Sequence, residues 1–183
     1  LGENKDEFFR TKNRKDFILP PPVDTLCDKV MKSGKKCFGV GKISDIFGHR
    51  GISDSVSGMS DDKLFDEMLN IISKANDGDL IFANFVEFDT LYGHRRDVSG
   101  YARALENFDK KLPKLFSVLN KEDFLVITAD HGNDPTFAGT DHTREQVPVL
   151  IKNHNLINKC YGVLNFSDIG SLVESFLGIK TSE

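Results

Sequence analysis

Apolar residues fall into short runs and helical stripes that alternate along the chain. Leu26, Val30 and Met31 share one face of a predicted helix over 23–33, with Gly34 as its stop. The run 37–41 predicts a buried strand, and the Gly, Ser and Asp of 45–60 predict a loop. Leu64, Phe65, Met68, Leu69 and Ile72 stand at helical spacing, a helix that Asp61 or Asp62 caps and that runs to Ala75. The nearly continuous apolar stretch 80–88 predicts a strand. A second stripe, from Tyr101 to Leu119, predicts a helix over 99–119 that Pro113 kinks. Strands over 124–128 and 147–151 and a helix over 167–177 complete the pattern. Strands alternating with amphipathic helices describe an α/β fold, a mostly parallel sheet with helices on both faces. Ligands in such folds bind beyond the carboxyl ends of the strands, which directs the search for chemistry there.

Composition narrows the function classes. The 183 residues are 39% hydrophobic and 28% charged, a globular balance that excludes collagen-like and low-complexity chains. No apolar run approaches the roughly 20 residues that span a bilayer, so no membrane partner is expected. The net charge of -4 argues against nucleic acid as a partner, which requires a basic surface. Cys27, Cys37 and Cys160 form no C-x-x-C pair, and each stands among apolar residues, so buried side chains are expected. With a polar rather than apolar opening stretch, this favours a reducing, cytoplasmic compartment. The sequence opens at Leu1, not Met, and Pro20-Pro21-Pro22 marks a boundary or hinge after a charged, patternless stretch.

Two predicted strand ends carry similar residues. The strand 80–88 runs into Asp89, with His94 five residues on; the strand 124–128 runs into Asp130-His131-Gly132-Asn133. His142 follows eleven residues after His131. Carboxylate and imidazole together suit Mn²⁺ or Zn²⁺. Adjacent side chains such as Asp130 and His131 diverge on extended backbone, so they face one centre only if the chain turns, which Gly132 permits. Singly, Asp89 is as well explained as a turn cap, and Asp-His-Gly-Asn as a turn. Five such residues at neighbouring loops favour a metal site. Arg95 and Arg96 stand beside His94, with Asp97 and Glu87 as possible ion-pair partners. Gly39-Val40-Gly41-Lys42 is no P-loop, because Lys36 replaces the first glycine and Ile43 the Ser/Thr. Lys42 remains either an anion contact at a strand end or a solvated lysine. No nucleophile-elbow or Cys/His pattern is present.

The strings Gly93-His94-Arg95-Arg96-Asp97, Asp130-His131-Gly132-Asn133-Asp134-Pro135-Thr136 and Thr140-Asp141-His142-Thr143-Arg144-Glu145 closely resemble the phosphopentomutase family. Arg10-Thr11-Lys12-Asn13-Arg14-Lys15 and Val40-Gly41-Lys42-Ile43-Ser44-Asp45 extend the resemblance over nearly the whole chain. The D-x-x-x-x-H and D-H-G elements are shared with the wider alkaline phosphatase superfamily. The resemblance implies an alkaline-phosphatase-like core that moves phosphate between the 1- and 5-positions of ribose or deoxyribose, a pentose phosphate substrate. It implies two Mn²⁺ ions, one held by Asp89, His94 and His142, the other by Asp130 and His131, clamping an in-line phosphoryl transfer. Arg14, Arg10 and Lys42 match segments that hold the substrate phosphate. The family's phosphothreonine and a further metal-binding aspartate have no counterpart in 1–19. The expectation is a remnant of a cap domain over 1–19, an incomplete metal-binding core over 20–183, and no mutase activity for the 183 residues alone. The alternatives are a phosphoglycerate mutase or phosphatase of the same superfamily, or a non-catalytic metal-binding domain.

Overall fold

The computed structural model describes Asn4, residues 17–155 and residues 160–179; Arg10 and Arg14 lie outside the described residues. Helix α1 (Leu26–Lys32) begins where Thr25 and Asp28 cap each other reciprocally. The Thr25 amide donates to Asp28 Oδ2 at 2.8 Å. The Arg50 guanidinium binds Asp28 at 2.9 Å and the Pro21 carbonyl at 2.5 Å, which ties the proline triplet to this helix end.

Strand β1 (Cys37–Val40) leads through the short α2 (Ile43–Ile46) to β2 (Asp54–Val56), then α3 (Asp61–Ile72) and β3 (Leu80–Ala83). The three strands form a parallel sheet in the order β2-β1-β3, in which Val40 pairs with both Val56 and Ala83. Alternation along β1 supplies two cores, because successive side chains point to opposite faces. Val40 joins Leu64, Phe65, Met68 and Leu69 of α3 and Leu115 on one face; Cys37 joins Cys27 and Val30 of α1 on the other. The α/β class and the parallel sheet follow the sequence pattern.

Several elements differ from that pattern. Residues 54–56, read as loop, form a strand whose exposed Asp54 and Ser55 carry no apolar signal, while half-buried Val56 packs against the α3 core. Ser60, not Asp61 or Asp62, is the cap of α3, and both acids fall in its first turn, where the helix dipole favours them. The helix expected over 99–119 is two, α4 (Val98–Asp109) and α5 (Leu112–Val118), with Pro113 in the first turn of α5. A proline ring clashes with the carbonyl four residues back, so the chain restarts a helix rather than bending one. Strands β4 (Leu125–Ile127) and β5 (Leu150–Lys152) pair antiparallel with each other in a separate two-stranded sheet. Residues 128–149 hold no helix to carry the chain back over the sheet, so it returns as a long hairpin. Helix α6 (Phe166–Phe176) lays Phe176 on Phe124, their rings stacked at 4.6 Å. Cys160 is exposed, unlike buried Cys27 and Cys37, because it lies in an irregular stretch after β5. Among the described residues no helix is long and apolar enough to cross a membrane.

Candidate metal centre

The strand expected over 80–88 stops at Ala83, and Phe88–Gly93 winds as a π-helical turn. The amide of His94 donates to the Asp89 carbonyl at 2.9 Å, the five-residue spacing that defines this turn. Phe88 anchors it, edge-on to Phe108 at 5.9 Å and to Tyr101 at 6.4 Å between ring centroids. The wide turn stacks residue 94 over residue 89, so His94 Nε2 lies 3.0 Å from Asp89 Oδ2. Such turns inside helical segments recur at functional sites. Asp89 is thus set by a π turn rather than by a strand end, as the apolar run had suggested.

Asp61 holds the approach to this turn. Its carboxylate accepts from the amides of Glu87 at 2.9 Å and Val86 at 3.2 Å. Burial pushes its pKa up to about 6, against the pull of the Glu87 amide, and the Glu87 carboxylate adds to the rise. The raised value means the folded state retains this proton when the unfolded chain has lost it. Stability from the protonated form is present at low pH and falls as pH rises through the interval from about 4 to about 6. The melting temperature of Asp61→Asn, measured against the unsubstituted protein, is therefore expected to gain across that interval and to run parallel above about pH 7. A difference that stays flat from pH 4 to 7 would contradict this.

The second half of the site comes from the hairpin that follows β4. The chain turns at Asp130 and His131, and Gly132 forms an antiparallel bridge with Thr143. The Thr143 hydroxyl accepts from the Asp134 amide at 2.6 Å. Gly132 is required by proximity, since a Cβ there would stand 2.4 Å from the Glu145 Cβ. This bridge brings His142 against His131, their rings stacked with centroids 3.7 Å apart. His94 stacks on the other side of His142 at 4.8 Å. The three imidazoles form a column beside one carboxylate.

Asp89 is the point of convergence. His142 Nε2 lies 3.5 Å from its Oδ1, and the Asn133 amide donates to the same oxygen at 2.6 Å. Asp89, His131 and His142 each offer a ligand atom, all within 4.8 Å of one another. Asp130 stands at the margin, 3.8 Å from His131 Nε2 and 64% exposed. His94 Nδ1 donates to the Thr140 carbonyl at 2.5 Å, which leaves Nε2 as the ring nitrogen that faces Asp89. Imidazole nitrogens and carboxylate oxygens facing one another at this range are a donor set that a cation satisfies. With nitrogen and oxygen donors and no thiolate, the residues fit Mn²⁺ or Zn²⁺.

The structure therefore brings together Asp89, His94, His131 and His142, with Asp130 adjoining. Lys42 is exposed and begins α2, two residues beyond the end of β1. Because β1 and β3 are parallel and in register at Val40 and Ala83, Lys42 shares the sheet edge from which the π turn departs. Arg96 contacts neither Asp97 nor Glu87 in an ion pair; Asp97 caps α4 through the Gly100 amide at 2.8 Å. Two residues that the sequence reading did not place in the site are central to it: Arg96 and Asn133. Their signals were position, one beside His94 and the other in an apparent turn, and membership of the strings that carry the family resemblance.

A profile of the metalloenzyme superfamily matches residues 32–181. The chain belongs to that superfamily. The matched span includes Lys42 and all five Asp and His residues named above. This metalloenzyme chain is 47% identical to a phosphopentomutase of Chromohalobacter salexigens over 98% of its own length and 44% of the relative's. It is 47% identical to a phosphopentomutase of Shewanella loihica over 100% of its length and 45% of the relative's. For that of Agrobacterium fabrum the identity is 44%, over 98% and 45% of the two chains. The chain spans under half the length of the curated relatives it matches.

Proposed function

We propose that this chain supplies the metal-holding part of a phosphopentomutase, which interconverts the 1- and 5-phosphates of ribose or deoxyribose. The observation that carries the reading is the convergence of Asp89, His94, His131 and His142 from segments more than 35 residues apart in sequence. The identity to phosphopentomutases supports it. Asp89, His94 and His142 would hold one Mn²⁺, and Asp130 and His131 a second. When bound, two such ions neutralise phosphoryl oxygens and orient an in-line transfer.

The chain's own residues prepare that site. His94, donating from Nδ1 to Thr140, keeps its other nitrogen free as a ligand. Asn133 donates to Asp89 and fixes which way the carboxylate faces. The ligand side chains remain partly exposed, between 24% for Asp89 and 64% for Asp130, which leaves room for a phosphate to approach. Lys42, with Arg10 and Arg14, would meet the substrate's phosphate as point charges or a fork. The free thiols agree with a reducing, cytoplasmic setting. In this reading, residues 1–19 belong to a cap and 20–183 to the core.

The test is an assay of the protein expressed from its complete reading frame, with Mn²⁺, on ribose 1-phosphate and on 3-phosphoglycerate. Ribose 5-phosphate is the expected product, and it should not form with the 183-residue chain alone, since the resemblance places the phosphoryl-accepting threonine outside it. Conversion of phosphoglycerate only would replace this reading with another activity of the superfamily. Turnover of ribose 1-phosphate by the 183 residues alone would overturn the assignment of the nucleophile.

A further inference from the structure

Arg96 has no carboxylate ion-pair partner among the described residues, and every N–H contact of its guanidinium goes to a neutral oxygen. Nε donates to the Gly139 carbonyl at 2.5 Å and Nη2 to the Asp141 carbonyl at 2.6 Å. Nη1 donates to the Asn133 side-chain oxygen at 2.5 Å, the Asp134 carbonyl at 3.0 Å and the Gly93 carbonyl at 3.2 Å. With His94 taking the Thr140 carbonyl, three successive carbonyls, 139 to 141, are gathered by residues 94 and 96. These are the residues immediately before His142. The backbone of Arg96 is left-handed, at φ 55, a conformation that side-chain-bearing residues adopt infrequently. The conformation aims the side chain back across the π turn into the hairpin loop.

Asn133 extends the contact to the carboxylate. It is 7% exposed, and accepting from Arg96 leaves its amide nitrogen pointing at Asp89 Oδ1. Arg96 thereby decides the orientation of the Asn133 amide, and Asn133 that of Asp89. Gly93 leaves the room for this, since a Cβ there would come within 2.5 Å of the Asn133 amide nitrogen.

We propose that Arg96, acting through Asn133, is a positioning residue that holds Asp89 and His142 in one metal-binding arrangement. The inference rests on the metal-centre reading above. The planar fork is what the role requires: its three nitrogens reach four backbone carbonyls and one side-chain amide on three segments, which a single lysine ammonium cannot span. Outer-shell partners of metal ligands commonly change affinity by about 10- to 100-fold, and a loss in that range is expected here.

Arg96→Gly is the informative substitution, because glycine accepts the left-handed backbone and the change removes only the side chain. Mn²⁺ affinity is measured by titration calorimetry, and the bound ion by its electron paramagnetic resonance spectrum, on the complete protein. The expected result is binding weakened about 10- to 100-fold, a broadened Mn²⁺ spectrum, and recovery on adding millimolar guanidinium ion. Arg96→Lys, which keeps the charge, should not recover it. Combining Arg96→Gly with Asn133→Ala should weaken binding little beyond the worse single change, since the two act in series. Unchanged affinity and spectrum in Arg96→Gly, or full function in Arg96→Lys, would overturn the proposal. Full additivity in the double variant would also overturn it. If the unsubstituted protein binds no divalent cation, the metal-centre reading itself fails, an outcome distinct from either.

Discussion

Asp89→Ala is expected to abolish useful divalent-cation binding while leaving the fold standing. Asp89 is the carboxylate that faces His94 at 3.0 Å and His142 at 3.5 Å and that also receives the Asn133 amide. Without it, the stacked imidazoles keep only Asp130, at the margin and 3.8 Å from His131 Nε2, as a carboxylate among the named ligands, and imidazole nitrogens neutralise none of a cation's charge. Loss of a direct charged ligand should exceed the 10- to 100-fold cost of an outer-shell change, so Mn²⁺ affinity should fall by at least about 100-fold. The substitution also leaves the buried Asn133 amide without its acceptor, which costs about 1–3 kcal/mol of stability. Asp89→Asn separates the two effects: it retains an oxygen for Asn133 but removes the charge. Calorimetric titration with Mn²⁺ and thermal unfolding of the metal-free protein report them independently. If both variants bind Mn²⁺ within a few-fold of the unsubstituted protein, Asp89 is not a ligand.

The largest effect on stability is expected at Phe65. It is 2% exposed, and its ring lies 6.2 Å from Phe85 and 6.1 Å, edge-on, from Phe108. The Lys111 ammonium sits over its face at 5.5 Å. Phe108 in turn holds Phe88, the first residue of the π turn, so this aromatic cluster joins the α3 core to the segment that carries Asp89. Deleting a buried phenyl group typically costs about 3–5 kcal/mol, from lost transfer energy and from the cavity left behind. A domain's whole stability is about 5–15 kcal/mol, so Phe65→Ala should denature at markedly lower urea. Phe65→Leu fills much of the space and should lose less than half as much. A loss below about 1 kcal/mol for Phe65→Ala would show that the cluster relaxes around the gap and does not fix the turn.

The residue types of the site were readable because the chemistry that needs them is narrow. Asp89, His94, Asp130, His131 and His142 stand out by spacing and by the strings around them. Their arrangement was less readable, for reasons specific to each segment. Phe85 and Phe88 extend the apolar run of β3, yet both rings pack on Phe108 of α4 and Phe88 opens a π turn, and burial alone does not distinguish the two states. A similar ambiguity hid the break at Pro113, since Leu112 and Leu115 continue the apolar stripe of α4 in a new helix. The strand 54–56 is invisible in the other sense: its exposed Asp54 and Ser55 take their conformation from hydrogen bonds to β1 rather than from a periodic pattern.

What the sequence determined by itself was the α/β class, the positions of α1, α3 and α6 and the candidate side chains for a metal. These depend on local periodicity and residue chemistry, which a single chain carries in full. Only the tertiary structure decided which of those side chains meet. His142 reaches His131 through a single bridge between Gly132 and Thr143, and Asp89 reaches both through a π turn. Arg96 and Asn133 enter the site by contacts spanning 37 and 44 residues, between segments that carry no mark of one another. Such contacts are set by how loops pack once the sheet has formed, so their geometry is a property of the fold and not of any local stretch of sequence.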